Sequence, residues 1–208
     1  MKVAVIGSGN MGKGLVSALA TANHEVIVGH RDPQKVTSQV GGISEKVEIT
    51  DIATAIKASD VVILAIPYPG VLDTLKLAGD LSEKVLIDIT NPVTADFKEL
   101  LLGHSTSAAE QIQAAAPEAN VVKCFNTIFA SLLPVSARHG VKVQAFLAGD
   151  DAGAMTLVSD LVTSLQFEAV AAGPLTNARY LEPMGEMNIH FGFFLGQGTS
   201  IAPAWVRV

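Results

Sequence analysis

The strongest constraint in this sequence is a series of short apolar runs without polar alternation. They are KVAVIG (residues 2–7), EVIVG (25–29), VVILAIP (61–67), VLIDIT (85–90), VVKCF (121–125) and AFLAG (145–149), with a weaker one, FEAVAAG, at 167–173. A strand wetted on one side alternates apolar and polar residues, whereas one covered on both faces does not. The runs therefore predict a mostly parallel sheet with helices on both sides.

The segments between the runs carry helical periodicity. Residues 10–22 place Met11, Leu15, Val16 and Leu19 on one stripe. Residues 151–166 do the same with Met155, Val158, Leu161, Val162 and Leu165. Asp32 followed by Pro33 reads as an N-cap and a first-turn proline. Ser107 and Glu110 have capping-box spacing for a helix ending near Ala115. A last helix is expected from about Asn177, followed by an apolar tail. Strand and helix in alternation from the first residue predict an α/β, doubly wound fold of the Rossmann type. The expected division is a dinucleotide-binding domain over residues 1–173 and a small helical extension over 174–208.

Composition narrows the function. The 208-residue chain is 49% hydrophobic and only 16% charged, so it can bury a full core. A formal charge of −6 with no basic run argues against nucleic acid and against an anionic membrane surface. The lone Cys124 cannot form an internal disulfide. The opening MKVAVIG lacks a secretory apolar stretch, and the tail is too interrupted to span a bilayer. A cytoplasmic protein is expected.

The turn after the first run reads VIGSGNMG, residues 5–12, with G-x-G-x-x-G spacing. Gly7 permits a tight turn, Gly9 lets backbone approach a pyrophosphate, and Gly12 lets helix and strand pack closely. Ser8, Asn10 and Met11 complete the turn and start the helix, whose free N–H groups face an anion. A ligand-free glycine turn is the alternative.

The second run decides which dinucleotide. An NAD site carries an acid there for the ribose hydroxyls. This chain has Gly29 and His30 instead, then Arg31, with Lys35 one helical turn later. A carboxylate would repel a 2′-phosphate, and an Arg fork with a Lys would hold it. Asp32 competes as the NAD acid, but its place before Pro33 explains it as a helix cap. Arg31 and Lys35 could also be plain surface charges. The expectation is NADP(H) over NAD(H).

In an open α/β sheet the ligand crosses the carboxyl ends of the strands. Those ends read AIPYPG, DITNP and CFNTI. Ala65, Ile66, Pro67 and Tyr68 are placed under the ribose and pyrophosphate. Asn91 and Pro92, with Asn126 and Thr127, are placed around the nicotinamide, because an Asn amide offers both donor and acceptor. Each Asn taken singly could equally be a turn residue.

No catalytic residue can be assigned. His24, His104 and His139 lie in connections and read as surface histidines. His190 lies on the last helix, where it could reach the crevice or simply pack. Cys124 inside a strand reads as a small buried hydrophobe. No metal-ligand set is expected. Hydride transfer to a flavin-like ring needs positioning more than general acid catalysis.

The sequence resembles the coenzyme F420-dependent NADP oxidoreductases, whose acceptor is an 8-hydroxy-5-deazaflavin. The resemblance runs through GSGNMGKGL (7–15), GHRDPQK (29–35), TSAAEQIQAAAP (106–117), VVKCFNTI (121–128) and GPLTNARYLEP (173–183). The reductase domains of membrane metalloreductases are similar through FNTI. The resemblance implies a homodimer that binds NADP(H), with His30, Arg31 and Lys35 on the 2′-phosphate. It implies an acceptor site at Asn126, Ile128, Gly196 and Gly198, with a deazaflavin or flavin as second substrate. The family pattern has His at the position of Asn126 and TIPAA where this chain has TIFAS.

Three functions follow. The first is an NADPH-dependent oxidoreductase acting on a flavin-like or other small-molecule acceptor. The second is a reductase of a small carbonyl or imine, a class that needs a further helical domain beyond Gly173. The third is an NADP-sensing module without turnover.

Overall fold

A computed structural model describes residues 1–40, 43 and 46–208. The strands are β1 (Lys2–Ile6), β2 (Glu25–Gly29), β3 (Val47–Thr50), β4 (Val61–Leu64), β5 (Val85–Asp88), β6 (Asn120–Lys123), β7 (Gln144–Gly149) and β8 (Glu168–Ala171). The helices are α1 (Asn10–Thr21), α2 (Pro33–Val40), α3 (Ile52–Lys57), α4 (Val71–Leu75), α5 (Ala108–Ala115), α6 (Ala152–Ser164) and α7 (Ala178–Ile189). One sheet runs β3-β2-β1-β4-β5-β6-β7-β8. Strands β1 to β6 are parallel, β7 pairs antiparallel to β6, and β8 runs with β7. This is the doubly wound, mostly parallel sheet that the unalternated runs predict.

The two faces of the sheet carry separate cores. Val3, Val5 and Ile63 point to one side and meet Leu15 and Leu19 of α1 and Val158 and Leu161 of α6. Ala4, Ile6, Val62 and Leu64 point to the other and meet Ile52 and Ile56 of α3 and Ile112 of α5. Successive residues of a strand thus serve opposite cores, which is why the runs show no polar gaps.

Helix starts follow local chemistry. Ser107 accepts from the Glu110 amide at the head of α5, and Asp151 accepts from the Ala154 amide at the head of α6. Helix α2 begins at Pro33. The 174–208 extension is tied to the rest by Leu175 and Ala178 in one core and by Leu181 against Phe146 and Ala148.

One histidine differs from the sequence expectation. His24 is buried rather than on the surface, and its Nε2 lies 2.8 Å from Ser164 Oγ. It follows the left-handed turn at Asn23, which folds the chain back and carries the ring beneath the end of α6. Burial holds its pKa below the ordinary value of 6.5.

Candidate functional site

The glycine turn is built as its spacing requires. Gly7 has φ +115°, and a Cβ there would lie 2.3 Å from the Ala65 carbonyl oxygen. A Cβ on Gly12 would lie 2.3 Å from the Gly7 carbonyl oxygen. Both positions are closed to any side chain. Gly9 is the reverse case, because its Cβ would meet nothing within 4 Å. Gly9 starts α1 without a side-chain cap, and no acidic residue lies in the first turn. Unpaired helix N–H groups therefore face an open space beside Ser8, Asn10 and Met11. That space and those donors fit a pyrophosphate.

At the end of β2, a Cβ on Gly29 would come within 2.6 Å of Ile6 and 3.0 Å of Ala55. Close packing of α3 thus excludes an acidic side chain there. His30 Nδ1 lies 2.9 Å from the Asp32 backbone nitrogen and closes the turn into α2. The Arg31 guanidinium reaches toward Gly70, and its charge helps hold the Asp73 carboxyl below the usual range, after Lys76. Exposed Lys35 lies 3.4 Å from Asp32. His30, Arg31 and Lys35 therefore share one edge of the crevice, outside the main cleft.

The main cleft is a cavity of about 1200 Å³ over the carboxyl ends of the strands. A single small-molecule site usually takes roughly 300–1,000 Å³, so this cleft is just beyond the large end of that range. Gly9, Asn10 and Met11 line one end, and Ala65, Ile66, Pro67 and Tyr68 follow. Asn91, Asn126, Thr127 and Ile128 line the middle. Gly7, half-buried Ser8, Gly12 and buried Pro92 do not contribute to the lining. Gly196 and Gly198 are exposed and outside the lining, although Thr199 of the same loop belongs to it.

Two asparagines form a reciprocal pair. Asn91 Nδ2 donates to the Asn126 carbonyl at 2.8 Å, and Asn126 Nδ2 donates to Asn91 Oδ1 at 2.9 Å and to the Leu181 carbonyl at 2.8 Å. Gly185 of α7 packs on this pair so closely that a Cβ would lie 2.5 Å from Asn91 Oδ1. Buried Asn126 Oδ1 and Thr90 Oγ1 have no partner among the described residues. An unsatisfied acceptor and hydroxyl thus lie buried just behind the cleft lining, where a small side-chain shift would bring them to a carboxamide. Phe125 at this strand end has φ +59°, a strained backbone of the kind that gathers at ligand sites.

The far end of the cleft is apolar. A compact loop over residues 92–101, closed by bonds from Thr94 N to the Glu99 carbonyl and from Leu101 N to the Pro92 carbonyl, contributes Val93, Phe97 and Leu101. The rings of Phe129 and Phe193 meet edge to face at 5.5 Å. Gly192 admits Phe129, because a Cβ there would lie 2.7 Å from its ring. Phe193 sits in the π-helical turn His190–Phe194 that ends α7, a distortion common at functional sites.

Sequence reasoning missed the group beneath the cleft. Lys123, at zero exposure, donates to Asp88 Oδ2 and Glu182 Oε1, both at 2.8 Å, and to the Thr90 carbonyl at 2.6 Å. Glu182 also accepts from the Ala108 and Ala109 amides at the head of α5. Burial alone would strip the Lys123 proton, but Asp88 and Glu182 outweigh it and hold the ammonium above its ordinary range. Burial pushes the Glu182 carboxyl up, and Lys123 and the α5 amide oppose it. Every partner of Glu182 is a donor, so the carboxylate is the form this site binds. The one available signal was a lysine inside an otherwise apolar strand.

His190 does not line the cleft. Its Nε2 lies 3.3 Å from Glu186 Oε1 without hydrogen-bond alignment. Cys124 is buried and its thiol is pushed far above the usual range, as a packing cysteine should be. No three His, Cys, Asp or Glu side chains among the described residues could hold a metal ion.

Residues 2–92 match the family described as NADP oxidoreductase, coenzyme F420-dependent. An F420-dependent NADP reductase of Methanothermobacter marburgensis is 32% identical over 211 residues, covering 91% of this chain and 92% of its own length. The chain belongs to this family. It is an NADP-dependent oxidoreductase by that membership. A solved structure described as an F420-dependent NADP reductase from Arthrobacter sp. FB24 superposes with a TM-score of 0.86 at 31% identity, with 96% of each chain covered. Metalloreductase STEAP3 of Rattus norvegicus is 29% identical over 87% of this chain, which spans only 36% of that longer protein. No helix among the described residues is long and apolar enough to cross a membrane.

Proposed function

We propose that the protein transfers hydride between NADPH and a flavin-like ring, deazaflavins included. The observation that carries this reading is a single crevice with three chemistries in sequence. It offers cations at the β2 end, open helix amides at Gly9, and a large uncharged cleft walled by Asn91 and Asn126. Arg31, Lys35 and His30 hold the 2′-phosphate, the α1 amides hold the pyrophosphate, and Thr90 with Asn126 orients the carboxamide. Bound NADPH would supply two electrons and a hydrogen as hydride, and the single proton that completes the acceptor's reduction would come from water. Phe97, Phe129 and Phe193 pack against the acceptor ring and keep water from the transfer.

Charge-assisted bonds are worth about 1.5–3 kcal/mol each, so Arg31→Ala should weaken NADPH roughly ten- to a hundredfold. NADH, lacking the 2′-phosphate, should be nearly unaffected. Calorimetric titration with both nucleotides decides, and an equal loss for both would remove the assignment. Loss of NADPH absorbance on adding an acceptor separates turnover from sensing alone.

The partner reading is a second copy of the chain. Tyr180, Met187, Phe191 and Phe194 fall on one exposed stripe of α7 and its π turn, a patch that suits an isologous interface. The buried single thiol accords with a reducing cytoplasm.

A further inference from the structure

The acceptor's charge can be read from what lines the cleft. Among the described residues, no Asp, Glu, Lys, Arg or His contributes to the lining. Tyr68 is the one titratable group in that wall. Its hydroxyl is donated to Gln111, and burial, Glu182 and Asp88 keep the phenol protonated. The polar side chains that remain, Asn10, Thr90, Asn91, Thr94, Asn126, Thr127, Ser131, Asn188 and Thr199, are all neutral. Asn188 is already committed to the Thr127 carbonyl. The other walls are the aromatic rings and the aliphatic side chains of Ile189 and Leu101.

Around the apolar end the nearby cations are committed: Arg179, in a hollow that shares Leu101 with the cleft and also holds His104, is paired with Glu110 at 2.6 Å. The 92–101 loop carries Asp96 and Glu99 against Lys98, and Lys98 is paired with Asp96 at 3.8 Å. On α7, Glu186 is buried with neither oxygen hydrogen-bonded, beside His190. The cationic group at His30, Arg31 and Lys35 stands at the β2 edge, outside the cleft. Bringing an anionic tail into this end would strip its water and return no countercharge.

We propose that the acceptor half of the cleft selects an uncharged, planar conjugated ring and discriminates against the same ring carrying a phosphate or carboxylate tail. This rests on reading the cleft as the hydride-acceptor site. The ring packs against Phe97 and the Phe129–Phe193 pair, and its carbonyl and imide edges meet the neutral amides and hydroxyls. A neutral flavin and a neutral quinone share this chemistry.

The test is fluorescence titration of riboflavin, FMN and F420 into the protein saturated with NADP+, which reads binding without turnover. Riboflavin should bind about tenfold more tightly than FMN or F420, with little dependence on salt. Ala95→Arg, which places a cation on the exposed lip of the cleft, should narrow the riboflavin–FMN gap to about threefold or less. NADPH oxidation by menadione and by a sulfonated naphthoquinone distinguishes quinone from flavin and should show the same preference. FMN or F420 binding as tightly as riboflavin overturns the inference and leaves the ring-acceptor reading intact. If no ring binds and a cyclic imine is reduced instead, the ring-acceptor reading falls. The charge inference then stands if the uncharged imine is preferred to its carboxylate, and falls if the carboxylate wins.

Discussion

Burial keeps the His24 imidazole neutral, with its pKa below 6.5, against Ser164. A group whose folded pKa is depressed gives stability that is complete above its unfolded pKa and is lost as pH falls through the folded one. The melting temperature should therefore drop as pH falls below about 6.5, and less steeply in His24→Gln. Parallel profiles for the two proteins would refute the assignment. Lys123→Met makes a larger change, because it leaves Asp88 and Glu182 buried without their cation. Breaking such a pair costs roughly 3–5 kcal/mol, at about 2–4 °C per kcal/mol for a chain of this size. A melt lowered by less than about 6 °C would show that the carboxylates find other partners. At this scale the sequence was legible where a residue acts through its neighbours in the chain. Gly7, Gly9, Gly12 and the Asp32–Pro33 start could be read directly. The Lys123 cluster could not, because its members stand 35 and 59 positions apart and only the sheet brings them together. His24 was misread for the same reason, since its partner is 140 residues away.

Among the elements, α7 shapes the site most. It carries Pro183 within its length, Gly185 against the asparagine pair, and a π turn that delivers Phe193. Gly185→Ala must push either α7 or Asn91 aside. Overpacking of this kind costs about 1–3 kcal/mol, and displacing the reacting groups by about 1 Å can slow transfer a hundredfold. Single-turnover NADPH oxidation should fall at least about tenfold, while NADPH affinity, on the proposed anchoring of the 2′-phosphate at the β2 end, should move far less. An unchanged transfer rate would mean that the pair does not frame the nicotinamide. The segment after β6 is held by Arg138, which donates to the Leu132, Leu133, Leu165 and Gln166 carbonyls and stacks on Phe167 at 3.5 Å. Long elements with strong patterns, β1, α1, α6 and α7, were visible in the sequence. Strand β3, with only VEIT and no fully buried residue, gave no apolar run to find. The short α3 and α4 hold six and five residues, too few for periodicity to show.

For the whole molecule, the exposed stripe on α7 makes a testable claim about assembly. Phe191→Glu should convert a dimer to a monomer in sedimentation analysis, and a wild-type monomer at the same concentration would dismiss the interface. The doubly wound order was legible because parallel connections leave few alternatives. The reversal at β7 was not, since AFLAG reads the same in either direction of pairing. The Lys123 cluster also has a temporal side. During synthesis Asp88 and Lys123 emerge well before Glu182, so for much of translation the ammonium and the first amides of α5 have only water as their third partner. When α7 arrives, one carboxylate displaces that water and seats Gly185 on the asparagines. The floor of the cleft is thus finished only when α7, which carries Glu182 and Gly185, has joined the sheet.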